Sequence, residues 1–197
     1  PRKDEAITKR AKFTLQLQYN SPVILTFFLL SLLVLFLGQW TNGWTTMHLF
    51  CVYRSSFKDP LFYVRLFGHV LGHANYSHYM GNMMLLLVVG PPLEERYGSG
   101  RLLGCMFITA LTSGLVQFFL FPGTALLGAS GIVFMCILLS SLSGMRGGAI
   151  PLTLILVAVF YLGGEWLDAV TVQDNVSHLT HIVGGLCGAI LGFTMRK

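Results

Sequence analysis

Six stretches of the chain are apolar almost without interruption, at residues 22–37, 76–93, 102–121, 130–142, 150–167 and 178–195. A helix needs about 20 apolar residues to cross the hydrocarbon layer of a bilayer. A run with no polar face predicts a helix whose surroundings are apolar on every side. The first run opens on Asn20-Ser21-Pro22, a helix start with proline in the first turn, and the third stops before Pro122-Gly123. Two of the six are short and carry polar residues at their start, which suits the inside of a bundle better than its lipid-facing rim. The connection at 38–75 is neither polar nor of low complexity. Its Trp40, Trp44, Phe50, Tyr53, Phe57, Phe62, Tyr63 and Phe67 predict a structured loop with short helices partly in the outer leaflet, since aromatic rings favour the headgroup level. The other connections are short, and no repeat or second domain is visible. The pattern predicts an all-α membrane protein with six transmembrane helices and a long structured first outer loop.

Composition agrees. Charged residues make up 11% of the 197 and the apolar set 54%, too little charge to cover a water-soluble surface of this size. The mean hydropathy is +0.68. These values exclude a typical cytosolic enzyme, a disordered tail and a disulfide scaffold. The four cysteines, Cys51, Cys105, Cys136 and Cys187, form no CxxC pair and read as small hydrophobes. The chain opens on Pro1 rather than methionine, as a processed or excised fragment would.

Charge also orients the chain. The net charge is +5, and Arg2, Lys3, Lys9, Arg10 and Lys12 crowd the N-terminus with no interleaved aromatic, which argues for a juxtamembrane anchor and against a nucleic-acid surface. With the N-terminus cytoplasmic, ten basic residues fall inside and three (Arg54, Lys58 and Arg65) outside. The positive-inside rule favours that orientation, with the C-terminus also cytoplasmic. Residues 1–20 then form a basic cytoplasmic segment and 21–197 the membrane core. All six histidines come to the outer side or the outer half of the membrane.

Polar groups in lipid are costly, so each needs a reason. His78 and Asn82 are four residues apart and share a helix face. Ser130 opens the fourth span between Gly128 and Gly131, and His181 lies near the start of the sixth. All fall at a similar depth. A serine, a histidine and extra donors at one level suggest acyl transfer, with Ser130 as nucleophile and His181 as its base. His78 and Asn82 would supply donors to an oxyanion. Gly128 and Gly131 permit a tight bend, and Gly184 and Gly188 form a GxxxG that permits close approach of the fourth and sixth helices.

The combination resembles the rhomboid family of intramembrane serine proteases. The residues that carry the likeness are His69-x3-His73-x4-His78-x3-Asn82, Gly128-Ala129-Ser130-Gly131 and His181-x2-Gly184-x3-Gly188, with Arg65 before them and Glu94-Glu95-Arg96-Tyr97-Gly98-Ser99-Gly100 after the second span. The likeness covers residues 40–195. It implies a six-helix rhomboid bundle with a cavity open to the outside, a Ser130–His181 dyad without a third acidic member, and an oxyanion hole of His78, Asn82 and the Ser130 backbone N–H. It implies that His69 and His73 are structural or line the cavity, that Glu94 and Arg96 pack the cytoplasmic side, and that residues 162–176 gate a substrate helix arriving sideways. The substrates would be transmembrane proteins and the setting the bilayer of a bacterial cytoplasmic membrane, with no cofactor, metal or nucleic acid; the oligomeric state is not specified.

Two departures stand out. The family often has tyrosine one turn after the serine, where this chain has Phe134, which keeps the ring and loses the hydroxyl; activity is expected to survive. The family's first loop often has Trp-Arg before the histidines, where this chain has Tyr63-Val64-Arg65, which bears on the loop's packing at the membrane surface and not on the chemistry. His178, besides, stands where small or amide residues are common and could tune access or hydrogen bonding in the cavity. Of the rival classes, a metal enzyme lacks the glutamate of HExxH between His69 and His73. A helix-binding pseudoprotease would lack the serine or the histidine. A transporter would show inverted repeats.

Overall fold

The computed structural model describes residues 18–143, 152, 155–156 and 175–195, the stretch 175–181 through its helical backbone. Helix α1 spans Pro22–Trp40 with its proline in the first turn, as the sequence predicts. After α2 (Trp44–Leu49), strand β1 (Val52–Tyr53), α3 (Pro60–Gly68) and a 3-10 turn at His69–Leu71, helix α4 runs Tyr76–Tyr97. Helix α5 spans Ser99–Leu120, β2 Ala125–Leu126, α6 Ser130–Ser143 and α7 Asn175–Thr194. The expected fifth span at 150–167 and the gate at 162–176 fall mostly outside the described residues; Leu152, Ile155 and Leu156 are helical.

The long helices alternate in direction through α1, α4, α5 and α6. Glu94 near the end of α4 accepts from the N–H groups of Val23 (3.0 Å) and Ile24 (3.1 Å) at the start of α1, and Ser99 donates to it at 2.7 Å. Those N–H groups have no partner inside their own helix, and a carboxylate at a helix N-terminus is favoured by the local dipole. Helix α4 runs through Pro91-Pro92 and ends at Tyr97, one turn beyond the apolar run that stops at residue 93. Arg96 takes no part in the Glu94 contact; it is exposed with its guanidinium 5.7 Å from the Tyr97 ring. At the same end Cys105 of α5 meets Met195 just past α7. The start of α1 and the end of α7 therefore share one end of the bundle, and Ser130 lies at the other.

Helix α6 is the axis. Residues 131–136 are buried without a break, so every face of its first turns is covered. The outer helices do the opposite. Leu29, Leu33 and Phe36 of α1, Met84 and Val88 of α4, Leu103, Phe107 and Leu120 of α5, and Leu186, Ile190 and Phe193 of α7 are exposed. Apolar surface on that scale is stable in contact with lipid, not water. Among the described residues α1 and α5 are each long and apolar enough to cross a membrane.

The connection from α1 to α4 carries α2, β1, α3 and the 3-10 turn, and it has a feature the sequence did not predict. Its strand β1 pairs antiparallel with β2, Val52 opposite Leu126 and Tyr53 opposite Ala125, which ties it to the lead-in of α6. Arg65, only 2% exposed, braces it from within. It donates to the His48 carbonyl and Ser55 Oγ (both 3.2 Å), forms an ion pair with Asp59 and lies 4.6 Å from the Tyr53 ring centre. The guanidinium holds the Asp59 carboxyl below the usual range, helped by the Leu61 N–H. Phe62 packs on Phe118 of α5 at 4.7 Å between ring centres.

Candidate active site

Ser130 is the first residue of α6 and is half-buried. The turn before it is held by two contacts. The Gly128 N–H donates to the His69 carbonyl at 2.9 Å. Gly128 also has φ +126°, a conformation that side-chain-bearing residues rarely adopt. A Cβ at Gly128 would lie 2.9 Å from both Cε1 and Nε2 of His78. The His78 imidazole therefore closes directly over the Gly128–Ser130 turn, with Nε2 at the contact.

His78 reaches that position because α4 starts where it does. The Asn75 side chain caps the helix by accepting from the His78 N–H at 2.8 Å. One turn on, Asn82 is buried and uses Nδ2 to donate to the His78 carbonyl at 3.1 Å. His78, Asn82, Gly128 and Ser130 are thus gathered at one end of α4 and α6.

Helix α7 approaches α6 more closely than any side chain would allow. A Cβ at Gly184 would strike the backbone of Gly131, lying 2.9 Å from its C and Cα, and one at Gly188 would lie 2.5 Å from the Met135 carbonyl oxygen. The next step pairs Gly192 with Leu142 and Leu139. The helices therefore run parallel, in the register 131 to 184 and 135 to 188. His181 precedes Gly184 by three residues on α7, which puts its backbone level with the Gly128–Ser130 turn. The side chains of His181 and His178 lie outside the described residues. Phe134 is buried with its ring against Gly185, where a Cβ would lie 2.6 Å from Cε1.

The two remaining motif histidines are buried on the loop side. The Nδ1 of His69 lies 3.1 Å from the Leu66 carbonyl and its Nε2 3.3 Å from Ser113 Oγ of α5. His73 points Nδ1 at the Leu71 carbonyl at 3.1 Å. Burial pushes both down to about 4, so both rings are neutral near pH 7. Among the described residues no three His, Cys, Asp or Glu side chains are placed to hold a metal ion.

Sequence comparison meets this geometry from another side. The Rhomboid domain family matches residues 61–197. This chain belongs to the rhomboid family. Rhomboid-related protein 1 of Caenorhabditis elegans is 31% identical over 141 residues, 66% of this chain and 39% of that protein. The rhomboid protease GlpG of Serratia proteamaculans is 29% identical over 143 residues, 69% of this chain and 50% of that protein. The GlpG of an Enterobacter species is 33% identical over 130 residues, 64% of this chain and 47% of that protein. The chain thus spans half or less of the length of these curated relatives. Family membership and the apolar rim make it an integral membrane protein.

Several features around the candidate site were not predicted from the sequence. Thr109, Ser113 and Gln117 form a buried polar stripe along α5, each spaced by four. Thr109 and Ser113 donate to carbonyls one turn back, and Gln117 reaches Thr124 at 3.0 Å. The i, i+4 spacing was the available signal. The hydrogen bond from Gly128 to the His69 carbonyl had none, because it joins backbone groups 59 residues apart.

Proposed function

We infer that this chain is an intramembrane serine endopeptidase of the rhomboid type. One observation supports the reading: in the parallel glycine register of α6 and α7 the His181 backbone is level with the Gly128–Ser130 turn, against which the His78 ring also lies. In the proposed reaction Ser130 Oγ attacks the scissile carbonyl carbon while His181 takes its proton. His78, Asn82 and the Ser130 N–H hold the tetrahedral oxyanion. The intermediate collapses by breaking the C–N bond, and His181 returns the proton to the leaving amine. Water, deprotonated by His181, then hydrolyses the acyl-Ser130 ester and regenerates the serine.

The same reading covers topology. Two helices that run parallel require the chain between them to return along their length, which favours a fifth span at 150–167 and hence six spans, with residues 162–176 as the gate. Residues 21–197 form the protease core, and 1–20 a basic segment on the cytoplasmic side. Both termini are cytoplasmic, and the membrane is a bacterial cytoplasmic membrane. Substrates are transmembrane proteins whose helices unwind easily near the scissile bond, because an intact helix keeps its amides hydrogen-bonded. No cofactor enters the reaction. The test is cleavage of a transmembrane test substrate in liposomes. Ser130→Ala and His181→Ala should each abolish it while leaving the melting temperature near that of the parent protein. Cleavage by the Ser130→Ala protein would sink the nucleophile assignment.

A further inference from the structure

We propose that His73 is a positioning residue that holds the His78 imidazole over the Gly128–Ser130 turn. The inference rests on the reading of His78 as an oxyanion donor and goes beyond it, because nothing in that reaction needs a second ring. Three restraints fix His73. Its Nδ1 faces the Leu71 carbonyl at 3.1 Å, and because a carbonyl only accepts, Nδ1 carries the proton. Its ring stands nearly perpendicular to Tyr79, 5.5 Å between centres, and Tyr79 is itself tied by its hydroxyl to the Phe28 carbonyl of α1 at 3.2 Å. Its ring meets that of His78 at 5.1 Å and 69°, an edge-to-face contact. Contacts thus run from α1 through Tyr79 and His73 to His78, and end on Gly128.

The space around His73 explains why the ring is needed. His73 lines a cavity of about 420 Å³ at the outer end of α1, together with Gly38, Asn42, Thr46, Ala74 and Leu127. Without the imidazole, the edge-to-face contact with His78 would be lost and the cavity would lie open on the side from which His73 supports that ring. Burial, and secondarily the neighbouring His78, hold His73 at about 4, so it supports His78 as a neutral ring throughout the neutral range. The role is one of shape, and a flat ring of similar size should fill it.

The experiment is a double-mutant cycle on the full chain in liposomes, with kcat and KM for a transmembrane test substrate and the rate of Ser130 labelling by a fluorophosphonate. His73→Ala should lower kcat and the labelling rate together by about 10- to 100-fold, less than the roughly 100- to 1000-fold expected from removing an oxyanion donor outright. KM should stay within about twofold if the loss is confined to the transition state. His73→Phe should recover most of the rate. In a His78→Ala background, His73→Ala should add almost nothing, because its effect passes through His78. Should the alanine protein melt early, His73→Leu, which keeps volume without a flat ring, takes its place in the cycle. Additive losses, a change in KM alone, or a phenylalanine protein as slow as the alanine one would overturn the positioning role while leaving the serine protease reading intact. Undiminished labelling of Ser130→Ala would instead overturn that reading, and the inference with it.

Discussion

Replacing Gly184 by alanine should separate catalytic geometry from simple packing. A Cβ there lies 2.9 Å from Gly131 C and Cα and closer still to its carbonyl oxygen, all backbone atoms that cannot rotate away. Ordinary contact begins near 3.4 Å, so α6 and α7 must part by at least about 0.5 Å. Overpacking of this kind typically costs about 1–3 kcal/mol of stability. The catalytic effect should be larger, because the parting occurs one residue from Ser130 and three from His181. A misplacement near 1 Å can cost on the order of 100-fold in rate. We therefore expect Gly184→Ala to lose about 10- to 100-fold in kcat with a modest fall in melting temperature. Gly192→Ala provides the comparison. It tests the same helix pair two turns away, where the new methyl meets the Leu142 side chain and not backbone, and it should keep activity within about threefold. Both are measured by cleavage in liposomes and by thermal unfolding in one detergent. Full activity in Gly184→Ala at an unchanged melting temperature would refute the reasoning. Equal losses in both variants would show that general packing, not the level of the site, sets the rate.

Other expectations are simpler. Glu94→Ala strands the Val23 and Ile24 N–H groups and should destabilise the protein by about 1–3 kcal/mol, read by thermal unfolding; Ser99→Ala should do less. Gly128→Ala forces a side chain into φ +126° and against the His78 ring, so fluorophosphonate labelling should fall at least about tenfold. His69 and His73 stay neutral in the folded protein down to about 4, whereas in the unfolded chain they take up protons near 6.5. Their stability contribution is therefore full above pH 6.5 and shrinks as pH falls towards 4. Asp59, held down by Arg65, loses its own contribution only below its ordinary value of 3.8. Melting temperature should fall steadily from pH 7 to pH 4; a rise over that range would contradict the burial of the two histidines.

How much of this was legible in sequence depends on the range of each interaction. The start of α1 at Ser21-Pro22 and the close approach of α6 and α7 at Gly184 and Gly188 are local patterns, and both appear in the structure. The serine between glycines was equally visible, and Gly128 has a physical use there, since it leaves room for the His78 ring. The second apolar run, 76–93, already passes through Pro91-Pro92; the last turn of α4 to Tyr97 is polar and carries no apolar signal, and it is held where Glu94 meets α1 some 70 residues away. The β1–β2 pair was missed. Two residues per strand leave no period to detect, and the partners lie more than 70 positions apart. The polar stripe on α5 was missed for another cause. Thr109, Ser113 and Gln117 are scattered in an apolar run, and only their shared face makes them one feature.

The most direct test of the central claim is to react the full chain in liposomes with a fluorophosphonate and locate the adduct by peptide mass spectrometry. The account predicts a single phosphonylated residue, Ser130, and no adduct in the His181→Ala protein. An adduct on any other serine, or undiminished labelling of Ser130 without His181, would contradict it.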